Sequence, residues 1–94
     1  MEEREISIAF PNLSRSYDPA HGRVRFWGYD SAMEVSFLLE NDALRLISPG
    51  LPAEEDAILK AFDANRDRIM QTARRVYSPR HNGAIILSAS DFSG

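Results

Sequence analysis

RVRFWGYDSAMEVSFLLE, residues 23–40, carries the period of two consecutive strands. In its first half Val24 and Phe26 fall on one side of an extended backbone and Arg23, Arg25, Trp27 and Tyr29 on the other, because successive strand side chains point to opposite faces. In its second half Met33, Val35, Phe37 and Leu39 form an apolar row opposed by Glu34, Ser36, Leu38 and Glu40. A slip of one residue would bury Glu34 and Glu40, so the pattern sets which faces pair. Residues 28–31 supply the expected turn of a β-hairpin with one core-building face and one outer face.

Upstream, Ile6, Ile8 and Phe10 alternate with Glu5, Ser7 and Ala9, the period of a half-buried first strand that Pro11 and Asn12 end. Residues 11–22 hold Pro, Asn, Ser, Asp-Pro and His-Gly without a sustained period and read as a long loop. Downstream, Asn41 or Asp42 is expected to cap a short helix through Ile47, which Ser48-Pro49-Gly50 stops.

Pro52 suits a first helical position, and Glu54, Glu55 and Asp56 favour the positive end of a helix dipole. The spacing of Ile58, Phe62, Ile69, Ala73 and Val76 predicts one long helix to about Tyr77, with Asn65 alone interrupting its apolar row. Lys60, Asp63, Asp67 and Arg74 should form its solvated side. After a polar loop, residues 84–89 are an apolar run of strand length. The order β-β-β-α-α-β implies an α+β two-layer domain: a mostly antiparallel four-stranded sheet with two helices packed on one face.

The chain has 94 residues, a formal charge of −3 and no cysteine. That length suits a single domain spanning 1–94 with one core. Without cysteine there is no disulfide framework, thiolate nucleophile or cysteine-held metal. The acidic balance argues against a dedicated nucleic-acid binder, whose affinity rests on neutralising phosphates. No segment is apolar enough for a membrane span, and glutamates stand where a signal peptide would be basic. A cytoplasmic protein is expected.

Residues 25–40, RFWGYDSAMEVSFLLE, with AFDANRDRI at 61–69 and SASDF at 88–92, resemble a family of small bacterial proteins known only as domain-of-unknown-function family 1488. The resemblance covers nearly the whole chain. Its matching positions are Phe26 to Asp30, Glu34, Phe62 to Arg66 and Asp91-Phe92. It implies a small α+β fold and carries no reaction, ligand or partner.

The candidate binding residues are Arg25, Trp27 and Tyr29 on the outer face, with Glu34 on the neighbouring strand. Exposed aromatic and arginine side chains suit a protein partner, a peptide or a stacked base. The competing reading is that a loop or the N-terminal segment covers Trp27 and makes a second small core. Glu34 and Ser36 are expected to pair with the arginines across the sheet.

Asn65, a polar residue in an apolar stripe, is expected to have a structural role through hydrogen bonds. Asp63 and Asp67 read as a solvated charged face. The two histidines, His21 and His81, fit no metal-ligand spacing, and the serines have no activating motif.

No catalytic, metal or cofactor residue is assigned. The chain reads as a non-enzymatic interaction or regulatory module that binds a protein partner, or itself as a homodimer, through the outer sheet face. Weak single-stranded nucleic-acid binding by the same face is the alternative, and a small-ligand enzyme ranks last.

Overall fold

The computed structural model describes residues 8–93. It contains four strands, β1 (Arg15–Asp18), β2 (Arg23–Asp30), β3 (Met33–Glu40) and β4 (Ile85–Leu87), and three helices, α1 (Asn41–Ile47), α2 (Glu55–Ala64) and α3 (Arg66–Val76). A single 3-10 turn, Ala89–Asp91, follows β4. The strands lie in chain order, β1-β2-β3-β4. The first two pairings are antiparallel, and β4 returns from the helices parallel to β3. This is the expected α+β class.

The hairpin β2–β3 organises the core. Its register sets Val24 opposite Leu39, Phe26 opposite Phe37 and Gly28 opposite Val35, so one face is continuously apolar. The Phe26 and Phe37 rings stack with centroids 5.2 Å apart, and Phe62 of α2 packs on Phe26 at 5.3 Å. Val24, Phe26, Val35, Phe37, Phe62 and Ile69 share one buried cluster with Leu44, Ile58 and Leu87. The helices therefore cover this face of the sheet.

The turn is displaced from the expected place. Gly28 and Tyr29 remain in β2, and a two-residue turn at Ser31 and Ala32 closes the hairpin between the paired Asp30 and Met33. Ser31 takes a positive φ of 56°, a conformation a tight hairpin turn requires and a non-glycine residue adopts at some cost.

Gly28 has another role. A Cβ there would lie 2.7 Å from Phe10 Cε1, 3.1 Å from the Ala9 carbonyl oxygen and 3.1 Å from Ile8 Cγ1. Glycine lets the segment at Ile8, Ala9 and Phe10 cross closely over β2.

Of the strand expected around Ile6 and Phe10, Ile6 lies outside the described residues. Ala9 makes an isolated antiparallel bridge to Tyr29, with reciprocal backbone hydrogen bonds of 2.9 and 2.8 Å. The regular first strand is instead Arg15–Asp18, inside the segment expected to be loop. Continuing its register would put Asn12 opposite Tyr29, so the chain loops out after Ala9 to occupy the same strand edge twice.

The long helix is two helices. Asn65, at φ −113° and ψ 20°, ends α2 and precedes α3. Its Nδ2 donates to the Ala61 carbonyl at 2.9 Å, which also accepts the Asn65 backbone N–H at 3.1 Å. A side chain inserted into the helical ladder in this way is a recognised source of a break. The α1 cap also differs: Glu40 occupies the N-cap position without a side-chain cap, and Asn41 donates from Nδ2 to Tyr17 Oη at 3.0 Å.

Arginines of α3 tie down both ends of the described chain. Arg66 donates to the Leu13 carbonyl and Arg74 to that of Ile8, while Arg68 and Arg75 reach the Phe92 and Asp91 carbonyls. Arg74 also lies over the Phe10 ring, 5.2 Å from its centroid. The residue stays exposed, as its place on the solvated side of the helix predicts, while its guanidinium also covers the Phe10 ring.

Candidate functional site

With the helices on the Phe26–Phe37 side, the opposite sheet face is formed by side chains of the other parity. Ser16, Arg25, Leu38 and Ile86 stand in one row across all four strands. Trp27 and Ser36 form the next row, and Tyr29 and Glu34 the one beyond. Arg25 and Glu34 are exposed, whereas Trp27 and Tyr29 are half-buried. Tyr29 Oη donates to Glu34 Oε2 at 3.3 Å.

Leu38 is only 5% exposed yet stands outside the helix-covered core, as does Trp27. Its register neighbours Arg25 and Ile86 flank it directly, with Trp27 on the diagonal. Ile86 itself is 49% exposed. The face is thus a small aliphatic and aromatic strip with a basic group at one end and an acidic group at the other.

The expected pairing of Glu34 and Ser36 with the arginines is not what the register produces. Arg25 stands opposite Leu38, Ser36 opposite Trp27, and Glu34 opposite Tyr29. A four-residue turn over 28–31 would have brought Arg25 opposite Glu34; the turn at Ser31 and Ala32 separates them by two rows. At roughly 3.3 Å per residue that is about 13 Å along the strand, too far for an ion pair. Arg25 has no ion pair among the described residues, and the nearest carboxylate of Arg23 is Asp18, 3.6 Å from Nε.

Asn65, the expected structural amide, is half-buried at the α2–α3 junction and remote in sequence from the sheet residues. Beside it, Asp63 accepts from Arg15 at 3.0 and 2.8 Å and from Arg66 at 2.7 Å. The Arg15 hydrogen bonds, and then Arg66, hold the Asp63 carboxyl below its ordinary range; the same contact with Asp63 raises Arg15. This cluster fastens β1 to α2, a role that the spacing of Asp63 and Asp67 does not suggest.

The histidines do not converge. His21 Nδ1 is 2.8 Å from Asp18 Oδ2, and that bond holds the Asp18 carboxyl below its usual range. His81 Nδ1 instead meets the Gly83 carbonyl at 2.8 Å. Beside His21 lies an open depression of about 350 Å³ lined also by Gly22, Glu40, Asn41, Asp42 and Arg45. Asn41 Oδ1 and Arg23 Nε nearby are buried without hydrogen-bond partners. No group of three or more potential metal ligands occurs among the described residues.

Asp30 accepts a 2.5 Å hydrogen bond from Tyr77 Oη, which locks the end of β2 to the end of α3. The Asp of FWGYD is therefore a tertiary tie, and its partner lies 47 residues away, beyond any local pattern. No described helix is long and apolar enough to cross a membrane.

Residues 8–87 match the family model described as "Protein of unknown function (DUF1488)". The fold is similar to a crystal structure of a protein of unknown function from the same family, from Shewanella loihica PV-4. The two share 16% identity, with a TM-score of 0.74 over 90% of this chain and 96% of that one. At that identity the likeness concerns the fold. No curated protein is similar to this chain in sequence.

Proposed function

The chain belongs to the DUF1488 family, and from the sheet face that no described helix covers we propose that it is a small protein-binding module. The carrying observation is Leu38, an apolar side chain of the outer face that stands between Arg25 and Ile86 and lies outside the helix-covered cluster. A partner would extend a strip that is already partly desolvated, and aromatic and arginine side chains are the types that anchor protein interfaces. Its complementary surface is apolar at the centre, with a carboxylate to meet Arg25 and a cation to meet Glu34.

Binding suits this face better than catalysis. The carboxylate in that strip, Glu34, accepts from Tyr29, and no hydrogen bond among the described residues aligns the Ser16 or Ser36 hydroxyl with a base. Glu34 on the same face and the net charge of −3 oppose a phosphate backbone.

A photo-reactive phenylalanine derivative in place of exposed Ser16, on the proposed face, tests this in living cells, with the same replacement of exposed Lys60 on α2 as control. Irradiation should give an adduct of discrete protein mass from position 16 and none from position 60. No adduct at position 16, or a smear shared by both positions, refutes the interface. An adduct only to nucleic acid, weakened steeply by salt, would replace the protein partner with the alternative ligand.

A further inference from the structure

We propose that the partner is a second copy of the chain, packed face to face about a two-fold axis that runs across the strands at the level of Trp27 and Ser36. The inference rests on the outer face being a protein interface and names what completes it.

Charge of opposite sign lies on the two sides of that level. Arg25 lies two residues before Trp27 on β2; Tyr29 lies two residues after, with Glu34 opposite it on β3. Each level is roughly 7 Å from the centre at the rise of an extended strand. A two-fold rotation about the central row exchanges the two levels. The Arg25 level of one copy then faces the Tyr29–Glu34 level of the other, and the contact occurs twice.

Within one chain this attraction cannot form, because the register holds Arg25 opposite Leu38 and Glu34 opposite Tyr29. A parallel stacking that set like levels together would oppose Arg25 to Arg25 and Glu34 to Glu34. This two-fold instead sets Arg25 over Tyr29 of the second copy, one strand spacing from its Glu34, so that a diagonal ion pair forms twice.

Packing agrees with charge. Stacked sheets sit about 10 Å apart, a gap that side chains from both inner faces fill. Trp27 meets its symmetry mate at the centre, with Leu38 and Ile86 of each copy alongside. Arg23 and Glu40 stand opposite each other at the far end of the hairpin, and Asp18 lies beside Arg23, so that level is balanced within the chain.

Sedimentation velocity over a concentration series, on wild type, Arg25→Glu, Glu34→Arg and the double variant, tests the arrangement. Wild type should be a dimer, and each single reversal should weaken it by about tenfold or more, as expected for opposed like charges at an interface. The double variant restores opposite signs at both contacts and should recover most of the lost affinity. Thermal melts by circular dichroism confirm that each variant is folded.

A wild-type protein that stays monomeric at high concentration overturns the proposal, as does a double variant no tighter than the weaker single. The cross-linking adduct separates the two readings. A monomer that cross-links at position 16 to a different protein leaves the interface standing and removes the second copy; a monomer with no adduct removes both.

Discussion

Replacing Gly28 with alanine tests the packing that holds the N-terminal segment across the hairpin. The new Cβ would meet Phe10 Cε1 at 2.7 Å, closer than carbon atoms pack, and the Ala9 carbonyl oxygen at 3.1 Å. Neither neighbour yields freely. The Phe10 ring contacts Phe26 and Phe37, at centroid distances of 5.9 and 5.6 Å, and sits beneath Arg74. The Ala9 oxygen accepts the Tyr29 N–H at 2.8 Å.

Overpacking a well-filled site costs roughly 1–3 kcal/mol. Against it stands the smaller conformational entropy of alanine, about 0.5–1 kcal/mol relative to glycine in a strand. The net expectation is a loss of about 1–2 kcal/mol, read as a lower urea midpoint with an unchanged slope. In a domain this size each kilocalorie lowers Tm by roughly 4–8 °C.

A double-mutant cycle makes the assignment specific. Shaving Phe10 to alanine removes the nearest obstruction, so the penalty of Gly28→Ala should shrink by about 1 kcal/mol in that background. The Ala9 carbonyl contact keeps part of it. An alanine variant as stable as wild type would refute the close crossing, and an undiminished penalty in the Phe10→Ala background would place the strain elsewhere.

Phe37→Ala should cost about 3–5 kcal/mol in denaturant melts, since it empties the site between Phe26 and Phe10 at the centre of the core; a loss below about 1 kcal/mol contradicts that placement. Asn65→Ala should lower stability by about 0.5–1 kcal/mol, the lost amide bond to Ala61 being partly offset by the helix propensity of alanine. An unchanged midpoint would deny the amide a structural role. Asp63 is depressed in the folded protein, so its contribution is present above the unfolded value of about 4 and fades as pH falls through the lower folded value. Asp63→Asn should therefore flatten the acid side of the stability–pH curve, by roughly 0.5–1 kcal/mol for a half-exposed network, and identical curves would contradict it.

How far the fold is legible depends on whether an element carries its own hydrophobic period. Residues 23–40 do, and both hairpin strands follow from alternation alone. β1 does not: of Arg15, Ser16, Tyr17 and Asp18 only Tyr17 packs against the core, and the strand is held by its backbone pairing with β2. The break at Asn65 is hidden for the opposite reason. The Asn65 N–H still reaches the Ala61 carbonyl and the Ile69 N–H still reaches that of Asn65, so the apolar spacing runs through the break unchanged. The use of Gly28 is invisible locally, because what it accommodates lies 18 or more residues upstream in Phe10, Ala9 and Ile8.

The outer face is legible in parity and not in register, and the difference bears on what the face can do. Alternation alone places Arg25, Trp27, Tyr29 and Glu34 on one side, whichever odd-spaced pairing the turn selects. Turn length then decides which of them meet. A wide turn over 28–31 sets Arg25 against Glu34 and closes the charges within the chain. The tight turn at Ser31 and Ala32 lengthens both strands, inserts the Trp27–Ser36 row between those charges and leaves them at opposite ends of an apolar strip. The same choice sets Arg25 opposite Leu38 and Glu34 opposite Tyr29. One serine held at positive φ thus separates a surface on which Arg25 and Glu34 face each other from one on which they stand two rows apart, the spacing that the proposed two-fold interface uses.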